Sequence, residues 1–516
     1  MTDQRDPTEI ELKLKIPRES LPRLLRHRAL SRFGAGRPVK TRLISTYFDT
    51  PDLRLMHERI ALRVRKVGER HIQTLKCAPR AESGVNARRE WETEVGQDRP
   101  DLGALGDRAL KKRLAPHKIA PRLRAMFVTD IKRETWPLKV RGAEIELAVD
   151  VGEIKSAGGR VPVCEAEFEL KSGGIDGIYA LARELHKSVP FIIEPLTKAE
   201  RGYALAADVA PQPKKAEPLK LGKRAAAGAA FVLIGRNGLL HLRANEACVR
   251  AGGAAEGIHQ LRVAIRRLRS ALFVFKHVIA ADARRTVASE LKWIAKQCAR
   301  AREWDVFQDE LLTPLRQRLP DEPTLSSFAD AVANARAEAD SAVAEMLTSP
   351  RYTEAILDAE AWWEGRAWRK DANDEIDQPA TKFAGKRLKK LHKRICDYGE
   401  RLDDLKVAEL HELRIRAKKL RYTAEFFRGV FGGLKASRDY LAALAGIQDR
   451  LGALNDSLVV RDLLAEVKRR APELDRDVIA RAGALITGWN SAKVETDLKA
   501  LPKAWAAFAE IRPFWK

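Results

Sequence analysis

The chain has 516 residues, 45% of them hydrophobic, which is enough for two to four domains with buried cores and excludes a disordered or fibrous polypeptide. Ninety-five Lys and Arg against 71 Asp and Glu give a formal net charge of +24, which points to an anionic partner: nucleic acid, a membrane surface or a phosphate compound. Five scattered cysteines without a CxxC argue against a disulfide framework or a zinc site, and neither an export signal nor a bilayer-spanning apolar run is visible, so a cytoplasmic protein without membrane association is expected.

From residue 9 to about 205, short alternating segments recur between turn signals: EIELKLKI, RLISTYFDT, IALRVRKV, HIQTLKC, RREWETEV, AEIELAVDVG and CEAEFELKSG. A period of two with evenly spaced turns predicts an antiparallel barrel or sandwich. APQPKKAEPLKLGKRAAAG (210–228) interrupts the pattern and reads as a linker. Beyond it Ala, Leu, Arg and Glu recur with a 3.6-residue period, which predicts helices. Two of these, IHQLRVAIRRLRSALFVFK (258–276) and LHELRIRAKKLRYTAEFFR (410–428), align without gaps, matching His259 to His411, Arg262 to Arg414, Arg266 to Lys418 and Arg269 to Arg421. Such a repeat predicts two similar bundles about a pseudo-twofold axis.

Residues two apart on a strand share a face. Glu9, Glu11 and Lys13 therefore project together, as do Glu144, Glu146 and Asp150, and Glu165, Glu167 and Glu169. Basic faces occur beside them: Arg63 with Arg65, Lys76, and Arg88 with Glu90 and Glu92. If the apolar faces turn outward against helices, the interior becomes a charged tunnel. Carboxylates ~4 Å apart repel by roughly 1 to 4 kcal/mol per pair, so a cluster of them needs cations. Oxygen donors without cysteine suit Mg²⁺ or Mn²⁺, and a polyanion such as a triphosphate would satisfy metal and bases together. Lys15 follows the alternation but is read as solvated, and Asp49 is as suited to holding a turn as to touching a ligand.

ExExK at 9–13, YFDT at 47–50, LRVR at 62–65, the Lys of TLK at 76, IKR ending at Arg133, ELAVDVG at 146–152, ExExE at 165–169 and KAERGY at 198–203 together resemble the successive motifs of a CYTH domain, of the triphosphate tunnel metalloenzyme superfamily. That superfamily includes inorganic triphosphatases, thiamine triphosphatases and class IV adenylyl cyclases. The resemblance covers roughly residues 5–205 and implies an α+β antiparallel β-barrel. It assigns Glu9, Glu11, Asp150, Glu165, Glu167 and Glu169 to metal, and Lys13, Arg42, Arg63, Arg65, Lys76, Arg133 and Lys198 to phosphate oxygens. The implied activity is metal-dependent hydrolysis of inorganic triphosphate or a related short triphosphate compound, with Glu9, Glu11, Lys13, Asp150, Glu167 and Glu169 at the reacting centre.

In the helical half, His259, Arg262, Arg266 and Arg269 fall within roughly 80° on a helical wheel, apart from the arc of Leu261, Ile265, Leu268, Leu272 and Phe275. His411, Arg414, Lys418 and Arg421 repeat the stripe, opposite Leu413, Leu420 and Phe427. Like charges at i,i+4 destabilise a lone helix, so the stripe calls for an anion. Its signatures, with AREWD (301–305) and LGALND (451–456), resemble a CHAD domain, which implies an all-α pair of duplicated four-helix bundles that bind inorganic polyphosphate. A row of Arg, Lys and His without base-reading side chains suits that ligand. The expected organisation is 1–207 CYTH-like, 208–222 linker and 223–516 CHAD-like, with association with polyphosphate granules in the cytoplasm. A non-catalytic polyphosphate-binding or granule-targeting protein is the alternative. Nucleic-acid binding is disfavoured because no recognition motif is present.

Overall fold

The computed structural model describes residues 10–77, 89–114, 116–252, 255–432, 434–472 and 474–515. The chain divides into two compact units, residues 1–212 with 348–367, and residues 213–347 with 368–516. Among the described residues no helix is long and apolar enough to cross a membrane.

The first unit is built on a nine-stranded antiparallel sheet: β1 Ile10–Lys15, β2 Val39–Asp49, β3 Ile60–Val67, β4 Arg70–Cys77, β5 Arg89–Val95, β6 Arg124–Val140, β7 Ala143–Ser156, β8 Gly159–Ser172 and β9 Ile192–Ile193. Their order is β5-β4-β3-β2-β6-β7-β8-β1-β9. The seven alternating segments become β1–β5, β7 and β8, whereas β6 and the short β9 are additions to that expectation. β6 carries only the IKR signal, and its Pro137 lies opposite Glu146, a position that breaks the look of a continuous strand.

The apolar faces turn towards helices. Leu62, Val64 and Leu75 pack against Leu102, Leu105, Leu110, Leu114 and Ile119, and the helix Asp176–His186 buries Ile178, Leu181, Ala182 and Leu185. A helix from far along the chain, Pro350–Glu364, belongs to this unit and packs on Asp176–His186 and β9. Ser349 caps it by accepting the Tyr352 N–H at 3.2 Å. Arg183 Nη2 pairs with Asp358 at 2.6 Å, and Thr353 Oγ1 donates to the Phe191 carbonyl at 3.3 Å.

The fully buried Asp49 carboxylate accepts the backbone N–H groups of Thr50, Leu55 and Met56 at 2.7, 2.8 and 2.9 Å. It therefore holds the turn that leads into the short helix Arg54–His57. Asp49→Ala strands three donors, and we expect it to lower the unfolding free energy in urea by about 2–4 kcal/mol.

The second unit is helical and has two cores. Phe231, Phe275, Phe383 and Phe427 meet with ring centroids 4.6 Å apart for Phe231–Phe275 and Phe275–Phe383, which joins the helices Ala227–Arg250, Ala255–Val274, Ala380–Gly399 and Val407–Phe427. Trp304, Phe307, Phe328, Val332, Leu463 and Ile486 form the other, from Ala299–Val306 and the turn Phe307–Leu312 that follows it, Pro323–Thr348, Leu434–Arg470 and Arg476–Ala509. The predicted apolar arcs are buried in both signature helices. Each core takes helices from both copies of the repeat.

Candidate active site

Strand register decides which charges share a face. Across the sheet run Glu11–Glu169–Glu146, Lys13–Glu167–Ala148, Glu165–Asp150–Arg133–Thr41, Tyr47–Arg63–Thr74 and Ala61–Lys76–Glu90, with Arg65 opposite Ser45. Paired residues project to the same side. Glu11, Lys13, Arg63, Arg65, Lys76, Arg133, Asp150, Glu165, Glu167 and Glu169 therefore all lie on the face opposite the covered apolar one. Glu9 and Arg88 lie outside the described residues. Arg42 is a correction: it stands opposite Lys132, one residue out of phase with Thr41 and Arg133, and so points to the other side. There it is exposed and grips Asp130 with Nε at 3.0 Å and Nη2 at 2.9 Å.

The helix Lys198–Ala207 lies on β6, β7 and β8 and brings in the remaining base. A reciprocal cap fixes its start: Thr197 Oγ1 accepts the Glu200 N–H at 3.1 Å, while the Glu200 carboxylate accepts the Thr197 N–H at 2.8 Å. Gly202 permits the close approach, since a Cβ there would stand 2.1 Å from the Phe127 ring.

Oxygens of Asp150, Glu165 and Glu167 lie within 4.8 Å of one another, and the first two side chains are fully buried. Arg133 donates through Nε to Asp150 Oδ1 at 2.7 Å and through Nη2 to Asp150 Oδ2 and Glu167 Oε2, both at 2.6 Å. Lys198 Nζ stands 2.6 Å from Asp150 Oδ2 and 2.9 Å from Glu167 Oε1, and also pairs with Glu165, whose other oxygen pairs with Arg201. Lys13 Nζ lies 3.2 Å from Glu167 and 3.9 Å from Glu11. Burial would push the Glu167 carboxyl up, but Lys198, Lys13 and Arg133 hold it well below the usual range. Burial opposes the charge of Lys198 and Lys13 as well, yet Glu167 and its neighbours raise both ammonium groups above their ordinary values. Glu167, Lys198 and Lys13 thus hold one another in their charged forms.

This donor set, hard oxygens only and closely spaced, fits Mg²⁺ or Mn²⁺. Glu169 and Glu146 adjoin it and share Lys171 at 2.6 and 3.6 Å. On the basic side the balance reverses. Arg65 donates Nε to the buried Ser45 Oγ at 3.0 Å, and burial, with Arg63 and Arg133 adding to it, pushes its guanidinium down to about 10. Tyr47 stacks on Phe127 with centroids 4.5 Å apart. Burial would raise its phenol, but Arg63, Arg65 and Lys198 lower it. Glu90 pairs with Lys76 at 2.8 Å and Arg63 at 3.7 Å. Cations crowded around Arg65 in this way make a place for an anion.

Three contributors were given no role from the sequence: Ser45, Tyr47 and Arg201. Ser45 and Tyr47 have the parity of Arg133 and Arg65, and Arg201 sits three residues after Lys198 on one helical face, so alternation and helical spacing carried the signal.

In the helical unit, His259 is half-buried among Arg262, Arg266 and Arg302, and burial, with Arg302 next, lowers its imidazole. Arg262 donates to the Ala295 carbonyl at 3.2 Å and Arg266 to the Tyr422 hydroxyl at 2.8 Å. Arg269 and His411 are exposed; Arg414 and Lys418 are half-buried. Arg421 donates to Gln448 at 3.0 Å and Glu425 at 3.3 Å. Glu425 also receives Arg267 at 3.4 Å, so part of the second stripe braces one signature helix against the other. The side chains of 453–456, within LGALND, lie outside the described residues.

Comparison with known proteins agrees with this layout. Residues 7–203 match the CYTH domain model and residues 234–465 the CHAD domain model. An inorganic triphosphatase from Haemophilus influenzae is 30% identical over 203 residues, 38% of this chain and 54% of that protein, so the chain spans about half the length of its curated relative. Among solved structures, the CHAD domain from the plant Ricinus communis is 32% identical over 57% of this chain and 97% of that one, with a TM-score of 0.49. A putative adenylyl cyclase from Hippeastrum, described as having a dominant triphosphatase activity, is 21% identical over 39% of this chain and 96% of its own, with a TM-score of 0.28. The chain therefore carries a CYTH domain followed by a CHAD domain.

Proposed function

We propose that the sheet unit hydrolyses inorganic triphosphate, or a related short triphosphate compound, with Mg²⁺ or Mn²⁺, and that the helical unit binds inorganic polyphosphate. The observation that carries the reading is one sheet face holding Asp150, Glu165 and Glu167 at one end of a run of bases and the crowded Arg63 and Arg65 at the other. The likeness of residues in this half to an inorganic triphosphatase supports it.

In this reading Glu9, Glu11, Asp150, Glu165, Glu167 and Glu169 hold the metal. When bound, it neutralises phosphate charge and activates water for in-line attack on a terminal phosphorus. Arg63, Arg65 and Lys76 grip one end of the anion, while Lys13, Arg133 and Lys198 reach it from the acidic side. No side chain needs to form a bond to phosphorus. Full-length protein given inorganic triphosphate should release phosphate when Mg²⁺ or Mn²⁺ is added and not without it; no release with either metal would overturn the reading. Within it, Arg133→Ala should lower kcat/KM about a hundredfold. Arg42→Ala, on the opposite face, should leave kcat/KM within about twofold.

His259, Arg262, Arg266, Arg269, His411, Arg414, Lys418 and Arg421 serve the second ligand, and a cytoplasmic protein gathered at polyphosphate granules follows from it. An Arg262→Ala/Arg414→Ala double variant should bind long-chain polyphosphate about tenfold more weakly and with a shallower salt dependence. Unchanged affinity and salt slope would remove these residues from the site.

A further inference from the structure

The same three carboxylates that fit a divalent ion are all held by one ammonium group. Lys198 Nζ lies 2.6 Å from Asp150 Oδ2 and 2.9 Å from Glu167 Oε1 and is paired with Glu165. Oxygens of these same three residues lie within 4.8 Å of one another. An ammonium and a hard divalent ion compete for that set, because they draw on the same oxygens and repel one another. Four bases, Lys13, Arg133, Lys198 and Arg201, already crowd these three carboxylates. Of these, Arg133 is fixed by its fork on Asp150 and Glu167, and Arg201 is paired with Glu165. Lys198 differs. It stands at the first position of a capped helix, on a four-carbon stem with several rotatable bonds, and its charge is felt at Tyr47 beside Arg63 and Arg65.

We infer that Lys198 is an internal counter-cation that competes with the metal for Asp150, Glu165 and Glu167, and that a phosphate anion relieves the competition by drawing the ammonium away. The inference rests on the proposed metal-dependent triphosphate site and adds a regulation to it: metal and anion strengthen each other's binding, and by linkage the effect is reciprocal. Direct metal–phosphate bonds would also couple the two ligands, so the decisive measurement uses metal alone.

The experiment titrates Mn²⁺ into the full-length protein without anion, reading free Mn²⁺ by electron paramagnetic resonance. Lys198→Met should tighten Mn²⁺ binding about tenfold, whereas Lys198→Arg, which keeps the charge, should not. With imidotriphosphate present, the advantage of Lys198→Met over the natural protein should shrink. Unchanged or weaker Mn²⁺ binding by a cooperatively melting Lys198→Met protein overturns the inference; Lys198→Gln is read in the same way if the Met variant does not fold. If metal-dependent hydrolysis is present while these affinities do not move, the inference falls and the proposed function stands. If the natural protein binds no Mn²⁺ with or without imidotriphosphate, both fall.

Discussion

Glu167→Gln is expected to lower metal-dependent phosphate release from triphosphate by about a hundredfold or more. Glu167 is the member of the acidic cluster with the most cationic partners: Lys13 at 3.2 Å, Arg133 at 2.6 Å and Lys198 at 2.9 Å. Gln preserves shape and keeps one acceptor oxygen for these bases, so the sheet should remain folded. What disappears is one of three negative charges that fit a divalent ion, and with it the force that keeps Lys13 and Lys198 charged and in place. The check is kcat for phosphate release at rising Mg²⁺ and Mn²⁺, beside a melting curve. Activity within a few-fold of the natural protein at saturating metal would remove Glu167 from the reacting centre.

The second large effect concerns where the first unit ends. A chain stopped at residue 222 keeps every strand but loses Pro350–Glu364, which buries Tyr352, Ile356, Leu357 and Trp363 within the full protein. It also strips Arg183 of Asp358 and leaves the face of Asp176–His186 to water. Each large apolar side chain contributes about 1.5–3 kcal/mol when buried, so the shortened protein should melt about 10 °C or more below the sheet unit of the full chain, or aggregate. Supplying residues 348–367 through a flexible linker should recover part of the loss. Equal melting temperatures for the two shortened forms would show that the helix contributes nothing to the unit.

Most of the sheet could be read from alternation because a strand solvated or charged on one side repeats every second residue. β6 escaped that reading. Both of its faces carry mixed residues and a proline stands near its C-terminal end, so no period of two stands out over its 17 residues. The acidic and basic members of the site were legible for the same reason that the strands were: parity places them. Arg42, which the resemblance and not parity assigned, falls out of phase, since Ser45 and Tyr47 fix the phase of β2 and put even-numbered residues on the outside. What parity cannot carry is the pairing among charges. That Lys198 would lie on carboxylates, or that Arg266 and Arg421 would be spent on Tyr422, Gln448 and Glu425, depends on which helices meet. Nor does the sequence of Pro350–Glu364 distinguish it from other amphipathic helices around it; its place is set by the surface it covers.

The two helical cores have a further consequence. Phe231 and Phe275 come from one copy of the repeat and Phe383 and Phe427 from the other, while Trp304 and Phe328 are closed over by Leu463 and Ile486 in the same way. One copy by itself would bring half of each core and leave both halves open. A chain with a single copy could bury these rings only by meeting a second identical chain, each lending its helices to the other across a twofold axis. The helical unit is in effect such a dimer made covalent: duplication within one chain turns an assembly that would depend on concentration into one that folds at any dilution.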